Sequence, residues 1–504
     1  MSVFSCIVNF RDNLTKNSSY YVSTLSKLSE NKHTEIRIDE HAAFCCRRPA
    51  QIVSTICEGY QFTAIFCGSL TRRAALREEL AASGYNITGA SDAELALTAY
   101  IHHGEKCTEH LYGDFTLSVY DCMRRRLFSF NTPSGMPVFY CRTDGGVMIS
   151  SHPCSFFACP GISAKITADS LCELLSMPLV TSGCIFDGIS MLPCTHTLKV
   201  SENSVLSEHR GKKCPDDSPV GLRETAEEIA AIISEDIPKS ENPGIILTGD
   251  PAGNALMSIA SSKLRQISSY SFSGESTFSQ ASGSCHSHLP LSESTLRSAL
   301  EKSVKVCGLP VFSRYDFLLP AYFSRIPNCT DALYFPANSV TGLGKYGCDV
   351  LIKNHAFLPA IEKTSGLNGL NTAGGKGFFN YAAMHAAADG IPLKTPLAHR
   401  RIGEIMRSVP YMPESIFSEI LRQRPGFVPA AQPPCDDLPM LRKILLEIIA
   451  DEYSPLSAFF DRSILLRMCE GRFDFSGAAA APSAYLAYLI KLNIWFSEYK
   501  PRII

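Results

Sequence analysis

The residues best suited to chemistry lie in a strand, loop and helix near the middle of the chain. Gly244-Ile-Ile-Leu247 is a Pro-bounded apolar strand running into Thr248-Gly-Asp-Pro-Ala-Gly-Asn254, and Ala255 to Leu264 reads as a helix. Such a unit aims backbone N–H groups and a helix N-terminus at one point, which by geometry is an anion or phosphate site. Asp250 inside that cradle repels phosphate unless Mg²⁺ sits between them. The next strand, Ile267 to Ser273, is expected beside the first in a parallel sheet. Lys376, in Gly374-Gly-Lys-Gly377, occupies a loop able to close over a substrate, although a solvated loop lysine is the plainer reading. Elsewhere reactive side chains are scattered. The 20 cysteines, Cys45-Cys46 included, show no paired C-x-x-C spacing and are expected to be buried thiols of a reducing cytoplasm rather than disulfides or zinc ligands. His102, His103 and His385 have no ligand spacing with carboxylates or thiols and are expected to be structural.

The elements that position these residues divide the chain in two. From Met1 to about Val200 the pattern is of short strands, among them 1–11, 61–67, 115–120, 126–130, 136–140 and 147–151, separated by turn residues. Two helices are expected among them. Arg72 to Ser83 places Ala75, Leu76 and Leu80 on one face, and Ser91-Asp-Ala-Glu94 has capping-box spacing ahead of Leu95 to His102. This half is expected to be α+β, two sheets packed face to face and flanked by helices. The polar stretch Glu208 to Pro219 has linker composition, which puts the domains at 1–210 and 211–504. The second half begins with a helix over Gly221 to Glu235 and is expected to be α/β around a parallel sheet. It turns helical from about Pro396, ending in an amphipathic segment, Ser483 to Tyr499, that carries the only tryptophan, Trp495.

Length and composition bound the reading. The 504 residues suit two to four domains, and 45% apolar with 19% charged residues is a globular composition. The 47 basic and 49 acidic residues leave a net charge of -2, so neither a nucleic-acid groove nor an anionic membrane is the expected partner. No run has the roughly 18 uncharged apolar residues of a membrane helix, and the N-terminus lacks the parts of a secretion signal, so a soluble cytoplasmic protein is expected.

Several segments, in order, resemble the asparagine synthetase superfamily, in which a glutamine amidotransferase-type domain precedes an ATP-pyrophosphatase synthetase domain. Phe66-Cys-Gly-Ser-Leu70, Leu76-Arg-Glu-Glu-Leu80, Ser91-Asp-Ala-Glu94, Leu111-Tyr-Gly-Asp-Phe115 and Pro137-Val-Phe-Tyr140 are similar to that family's N-G-x-I-Y, L-R-x-E-L, S-D-x-E, L-x-G-x-F and P-L-Y-Y signatures. Later, Pro396-Leu-Ala-His-Arg-Arg401 is similar to P-F-L-D-x-R. The segment Ile416 to Phe427 resembles the one that brings a catalytic cation to the α-phosphate, with Arg424 in the lysine position. The resemblance implies ATP and Mg²⁺ as cofactors. It places the nucleotide on Ile246, Leu247, Thr248, Gly249 and Gly253, on Ser271 and Phe272 at the end of the next strand, and on Gly347. It gives the metal Asp250 and Asp349, although the family's own loop aspartate falls at Ala252. Tyr346, Arg424 and Lys376 become the catalytic candidates.

The departures set the expected activity. The family's glutaminase uses a cysteine at the mature N-terminus, whereas the corresponding thiol, Cys6, lies behind five residues, and the glutamine-binding Asn is Cys67. The glutaminase is expected to be dead, so the amine must come from elsewhere. That pattern resembles the lasso-peptide-cyclase and β-lactam-synthetase branches, and the closing helix, Tyr485 to Tyr499, is similar to that of the microcin-type cyclases. The expected activity is an amide-bond-forming ligase that closes a macrolactam in a precursor peptide, with a leader peptidase as possible partner protein. The alternatives are a β-lactam or carbapenam-type synthetase acting on a small amino acid, suggested by Tyr346-Gly-Cys-Asp349, and a non-catalytic scaffold subunit. In the synthetases a glutamate supports the tyrosine, and the nearest position here is Asn380.

Overall fold

The computed structural model describes residues 2–29, 34–176, 184–194, 196–209, 221–237, 240–248, 250–264, 266–271, 285–289, 291–313, 316–327, 330–336, 355–359, 361, 380–424, 437–475 and 482–504. In the first half these form β1 (Phe4–Asn9), α1 (Ser18–Ser29), β2 (Glu35–Ile38), β3 (Ala42–Cys46), β4 (Ala50–Cys57), β5 (Tyr60–Thr71), α2 (Arg73–Ala82), α3 (Asp92–His103), β6 (Tyr112–Asp121), β7 (Arg126–Asn131), β8 (Phe139–Thr143), β9 (Gly146–Ser150), β10 (Lys165–Ile166), α4 (Ala168–Ser176), β11 (Ile189–Met191), β12 (His196–Ser201) and β13 (Ser204–His209).

Two antiparallel six-stranded sheets result, in the orders β11-β8-β9-β1-β3-β2 and β13-β12-β7-β6-β5-β4. The period of two along β5 explains their stacking. Phe62, Ala64 and Phe66 join the core under α2 and α3, while Ile65 and Cys67 join the core shared with Phe4, Cys6 and Val8 of the first sheet. The layers are therefore sheet on sheet with α2 and α3 outside the second sheet, while α1 lies against the first, as expected for this half. The Ser91 hydroxyl accepts from the Glu94 N–H at 3.3 Å and the Glu94 carboxylate accepts from the Ser91 N–H at 2.7 Å, the capping box read in the sequence. Helices α1 and α4 were not foreseen. Ser-Ser-Tyr-Tyr-Val-Ser-Thr-Leu has weak helix propensity, and α1 forms because Leu25 is fully buried in the core.

The second half contains α5 (Leu222–Asp236), β14 (Pro243–Ile246), α6 (Pro251–Lys263), β15 (Ser268–Ser271), β16 (Cys285–His288), α7 (Glu293–Cys307), α8 (Leu318–Phe323), β17 (Ala332–Tyr334), α9 (Tyr381–Asp389), β18 (Leu393–Lys394), α10 (Arg400–Ser408), α11 (Pro413–Arg422), α12 (Asp437–Ala450), α13 (Arg462–Cys469), α14 (Pro482–Tyr499) and β19 (Arg502–Ile503). Its sheet runs β16-β15-β14-β17-β18 and every pairing is parallel, with Ile245 opposite Ser269 on one side and Tyr334 on the other. The strand at Gly244 is thus central, as its apolar run suggests. Helix α6 begins at Pro251, four residues earlier than expected. Pro251 occupies the first turn, where its missing N–H costs nothing, and Asp250 caps it.

Helix α14 is not amphipathic in this setting. Tyr485, Leu486, Leu489, Leu492 and Trp495 are all buried, and so is Lys491, whose ammonium lies 2.6 Å from Asp316 Oδ2. The Trp495 indole N–H donates to Gly308 O at 2.9 Å and the Tyr488 hydroxyl to Leu174 O at 2.5 Å, so the helix ties α7 to the first half. Beyond it β19 pairs in parallel with β10. No helix among the described residues is long and apolar enough to cross a membrane.

Candidate functional site

Two places concentrate polar side chains. The first is the C-terminal edge of the parallel sheet, where open α/β sheets bind ligands. The Leu247 N–H donates to Tyr270 O at 2.8 Å, so Ile246, Leu247 and Thr248 leave β14 beside Ser271 at the end of β15. The Ser271 hydroxyl lies 3.0 Å from His286 Nε2, and the same ring's Nδ1 lies 3.0 Å from Ser269 Oγ. Gly253 must be glycine here, because a Cβ would come within 2.5 Å of Thr248 Oγ1.

Asp250 decides what this edge can hold. Its carboxylate accepts the Gly253 N–H at 2.7 Å, one of the orphan donors that an anion at the helix N-terminus would otherwise use. Burial pushes its carboxyl up, and the Gly253 N–H pulls it back down. The edge therefore does not suit a bare anion, but a carboxylate beside the Thr248 hydroxyl suits a hard divalent cation carrying phosphate. Arg424 does not reach it. Its guanidinium lies 3.2 Å from Ser262 Oγ and 3.5 Å from Ser258 O, seven residues or more past Pro251 and so roughly 10 Å along α6. Gly249, Phe272, Tyr346, Gly347, Asp349 and Lys376 lie outside the described residues.

The second place is a cavity of about 1040 Å³ between the two halves. Arg47, Arg48, Cys67, Ser69 and Asp114 line it from the first half, and Asn380 and Lys394 from the second. Arg47 bridges the walls, donating from Nε to Ser2 O at 3.0 Å and from Nη1 to Ala387 O at 3.4 Å. Lys394 donates to Ser69 and Ser134 to Asp114. Asn380 is the N-cap of α9, its Oδ1 accepting from the Ala383 N–H at 3.1 Å. Its buried Nδ2 finds no hydrogen-bond partner among the described residues.

Nothing described in this cavity is a ready thiolate. Cys67 and Cys46 line it, but burial pushes both thiols up to about 12. Cys6 is fully buried in the middle of β1, paired to Phe44 and Ile149, and burial raises its thiol well above the ordinary value. A neutral thiol is a poor nucleophile.

Residues 50–210 match the glutamine amidotransferase domain family. Over 151 residues the chain is 32% identical to asparagine synthetase [glutamine-hydrolyzing] 3 of Bacillus subtilis (strain 168), a match covering 29% of this chain and 25% of that protein. The chain thus spans about a quarter of the length of the curated relative it matches. Together these matches support the asparagine synthase superfamily. Among solved structures, glutamine phosphoribosylpyrophosphate amidotransferase from B. subtilis, complexed with ADP and GMP, aligns at TM-score 0.29 and 8% identity over 72% of this chain and 89% of its own. A structure described as the allosteric regulatory enzyme of purine biosynthesis aligns at TM-score 0.30 and 8% identity over 82% and 93%.

At the rim of the amidotransferase-like half lies a charge cluster with no signal in the sequence. Arg72, in the left-handed region at φ 52, pairs with Glu235 at 2.6 Å across the junction. Next to Glu235, Asp236 is pushed up to about 7, by burial first and then by Asp114. His399 Nε2 lies 3.7 Å from Asp236, and burial holds the imidazole below its usual range. Two of the histidines read as structural, His103 and His385, have carboxylate neighbours, as does His110. His385 Nε2 meets Asp316 at 2.9 Å, and His103 Nε2 and His110 Nδ1 each lie 2.9 Å from Glu79. These partners are 69, 24 and 31 residues away, so linear spacing could not show them.

Proposed function

We propose that this protein is an amide-bond-forming ligase without glutaminase activity, in which the attacking amine belongs to the substrate. The substrate would be a precursor peptide whose N-terminal amine closes a macrolactam on an Asp or Glu side-chain carboxylate, as in lasso-peptide cyclases, with a leader peptidase as partner protein. The observation that carries the reading is Cys6. The thiol that would cleave glutamine is locked inside the β-sandwich, fully buried and neutral, while the amidotransferase-like sheets around it persist.

ATP held with Mg²⁺ would supply the activation of the carboxylate. Ile246, Leu247, Thr248, Gly249, Gly253, Ser271, Phe272 and Gly347 would hold the nucleotide, and Asp250 with Asp349 the metal. Tyr346, Lys376 and Arg424 remain catalytic proposals, and Arg424 would have to leave Ser262 to serve. A small amino acid as substrate, the β-lactam-synthetase reading, is less favoured, because Asn380 has no basic group to support Tyr346 and its carbonyl oxygen is spent on capping α9.

Asp250 favours one other reading, a non-catalytic scaffold subunit, because a helix N-terminus filled by the chain's own carboxylate needs no nucleotide. Incubation with Mg²⁺, ATP and candidate precursor peptides separates the two. The ligase reading expects AMP, pyrophosphate and a peptide lighter by one water, with no glutamate released from glutamine. Peptide recovered unchanged beside intact ATP would favour the scaffold.

A further inference from the structure

The described residues hold two groups of three metal-ligating side chains, Glu79 with His103 and His110, and Cys307 with Asp316 and His385. In each group the ligand atoms lie within 4.8 Å of one another. The second group is already neutralised. Asp316 accepts from Lys491 Nζ at 2.6 Å and from Ser303, and the Asp316, His385 and Lys491 side chains are wholly buried. The lysine ammonium takes the place a cation would need, and no route from solvent reaches it.

The first group differs on both counts. Glu79 comes from α2, His103 is the last residue of α3, and His110 ends the 3-10 turn Gly104–Glu109 that follows. A single carboxylate oxygen, Glu79 Oε1, lies 2.9 Å from His103 Nε2 and 2.9 Å from His110 Nδ1. The two imidazoles stack with centroids 3.7 Å apart and planes 12° apart. The His103 Nε2 is buried and finds no hydrogen-bond partner among the described residues. The Glu79 and His110 side chains stay 39% and 35% exposed, which leaves a path for an ion.

We propose that Glu79, His103 and His110 form a binding site for a divalent transition metal, zinc above all, with a water in the fourth position. Two imidazole nitrogens and one carboxylate oxygen are zinc's own ligand types, whereas Mg²⁺ and Ca²⁺ take oxygen almost exclusively. Zinc bonds of about 2.0–2.1 Å put tetrahedral ligand atoms about 3.3 Å apart, so the 2.9 Å contacts open by a few tenths of an ångström while one imidazole turns out of the stack to aim its lone pair at the ion. Entry of the metal displaces any proton on the ligating nitrogens. The bound ion would fasten α2 to the end of α3, stiffening the helical layer over the second sheet. Arg73, which opens α2, pairs at 2.8 Å with Asp92, whose carboxylate also accepts the Leu70 N–H of β5 at 2.9 Å. The clip therefore bears on the strand that carries Cys67 and Ser69 into the cavity.

The full chain, stripped of metal by chelator dialysis, would be titrated with Zn²⁺ by calorimetry and with Co²⁺ by visible absorbance, alongside Glu79→Gln, His110→Ala and His102→Ala. We expect one equivalent of either metal, weakened at least about 100-fold in Glu79→Gln and His110→Ala and unchanged in His102→Ala. Co²⁺ should show tetrahedral bands without the near-ultraviolet absorbance of thiolate ligation. Zinc should raise the melting temperature of the parent and not of the two ligand variants, whose metal-free melting should match the metal-free parent within a few degrees. Absence of binding, binding indifferent to Glu79 and His110, or a thiolate spectrum would overturn the proposal. The isosteric Glu79→Gln keeps it testable should His110→Ala fail to fold.

Discussion

Asp316 and Asp236 are both buried carboxylates beside a histidine, and their surroundings oppose each other. Burial alone would raise Asp316, but Lys491 and His385 hold it well below the usual carboxylate range. Asp236 has His399 at 3.7 Å, the like charges of Asp114 and Glu235, and Arg72 and Lys394 as cations too weak to offset its burial, and it is pushed up to about 7. In the Asp316 network each charge has a partner, which is what a structural network requires. At the junction between the halves compensation is incomplete, and uncompensated titratable groups are more typical of sites than of cores. The Asp316 network therefore reads as structure, while the junction keeps groups that can still titrate.

The largest expected effect tests the compensated side. Lys491→Met keeps the volume but strips Asp316 of its ammonium, and should cost about 3–5 kcal/mol in denaturant unfolding. A loss below about 1 kcal/mol would mean that the network is not the anchor its geometry suggests.

The uncompensated side should show in pH dependence. Asp236 ionises near 4 when unfolded and about 7 when folded, so between those values the native state binds the extra proton. Its contribution is favourable at low pH and is lost as pH rises through about 7, by up to roughly 4 kcal/mol. His399, held low by burial, gives the opposite slope below about 6.5. Asp236→Asn should flatten the decline of the unfolding midpoint between about pH 4 and 7. An unaltered profile would place Asp236 in better contact with solvent than its burial implies.

A smaller effect belongs to the sheet edge. Asp250→Ala removes the cap of α6 and should cost about 1 kcal/mol. A cost near zero would mean that the Gly253 N–H finds water at once and that the carboxylate is not needed as a cap. At the thiols no gain is expected: Cys67→Asn restores a residue type of the resemblance but leaves Cys6 inside the sandwich. Glutamine hydrolysis by that variant would contradict the proposal that burial of Cys6 keeps the first half from cleaving glutamine.

How legible these features were in the sequence follows from their range. The capping box at Ser91 and Glu94 is local and was read directly, and so was the apolar strand at Gly244 with its parallel neighbour. Asp250-Pro251 is itself a helix-start signal, and reading it as loop displaced the start of α6 by four residues. Lys491, in an otherwise apolar helix, implies a buried carboxylate without saying which, since Asp316 lies 175 residues away. The partners of Glu79 and Asp236 are likewise set by packing between elements, which periodicity does not encode.

The most direct test of the ligase reading is calorimetric titration of the full chain with Mg²⁺ and a non-hydrolysable ATP analogue, repeated on Asp250→Ala. The account predicts one nucleotide bound with micromolar affinity by the parent and none by the variant, because Asp250 carries the metal. No binding by the parent, or equal binding by both, would contradict it.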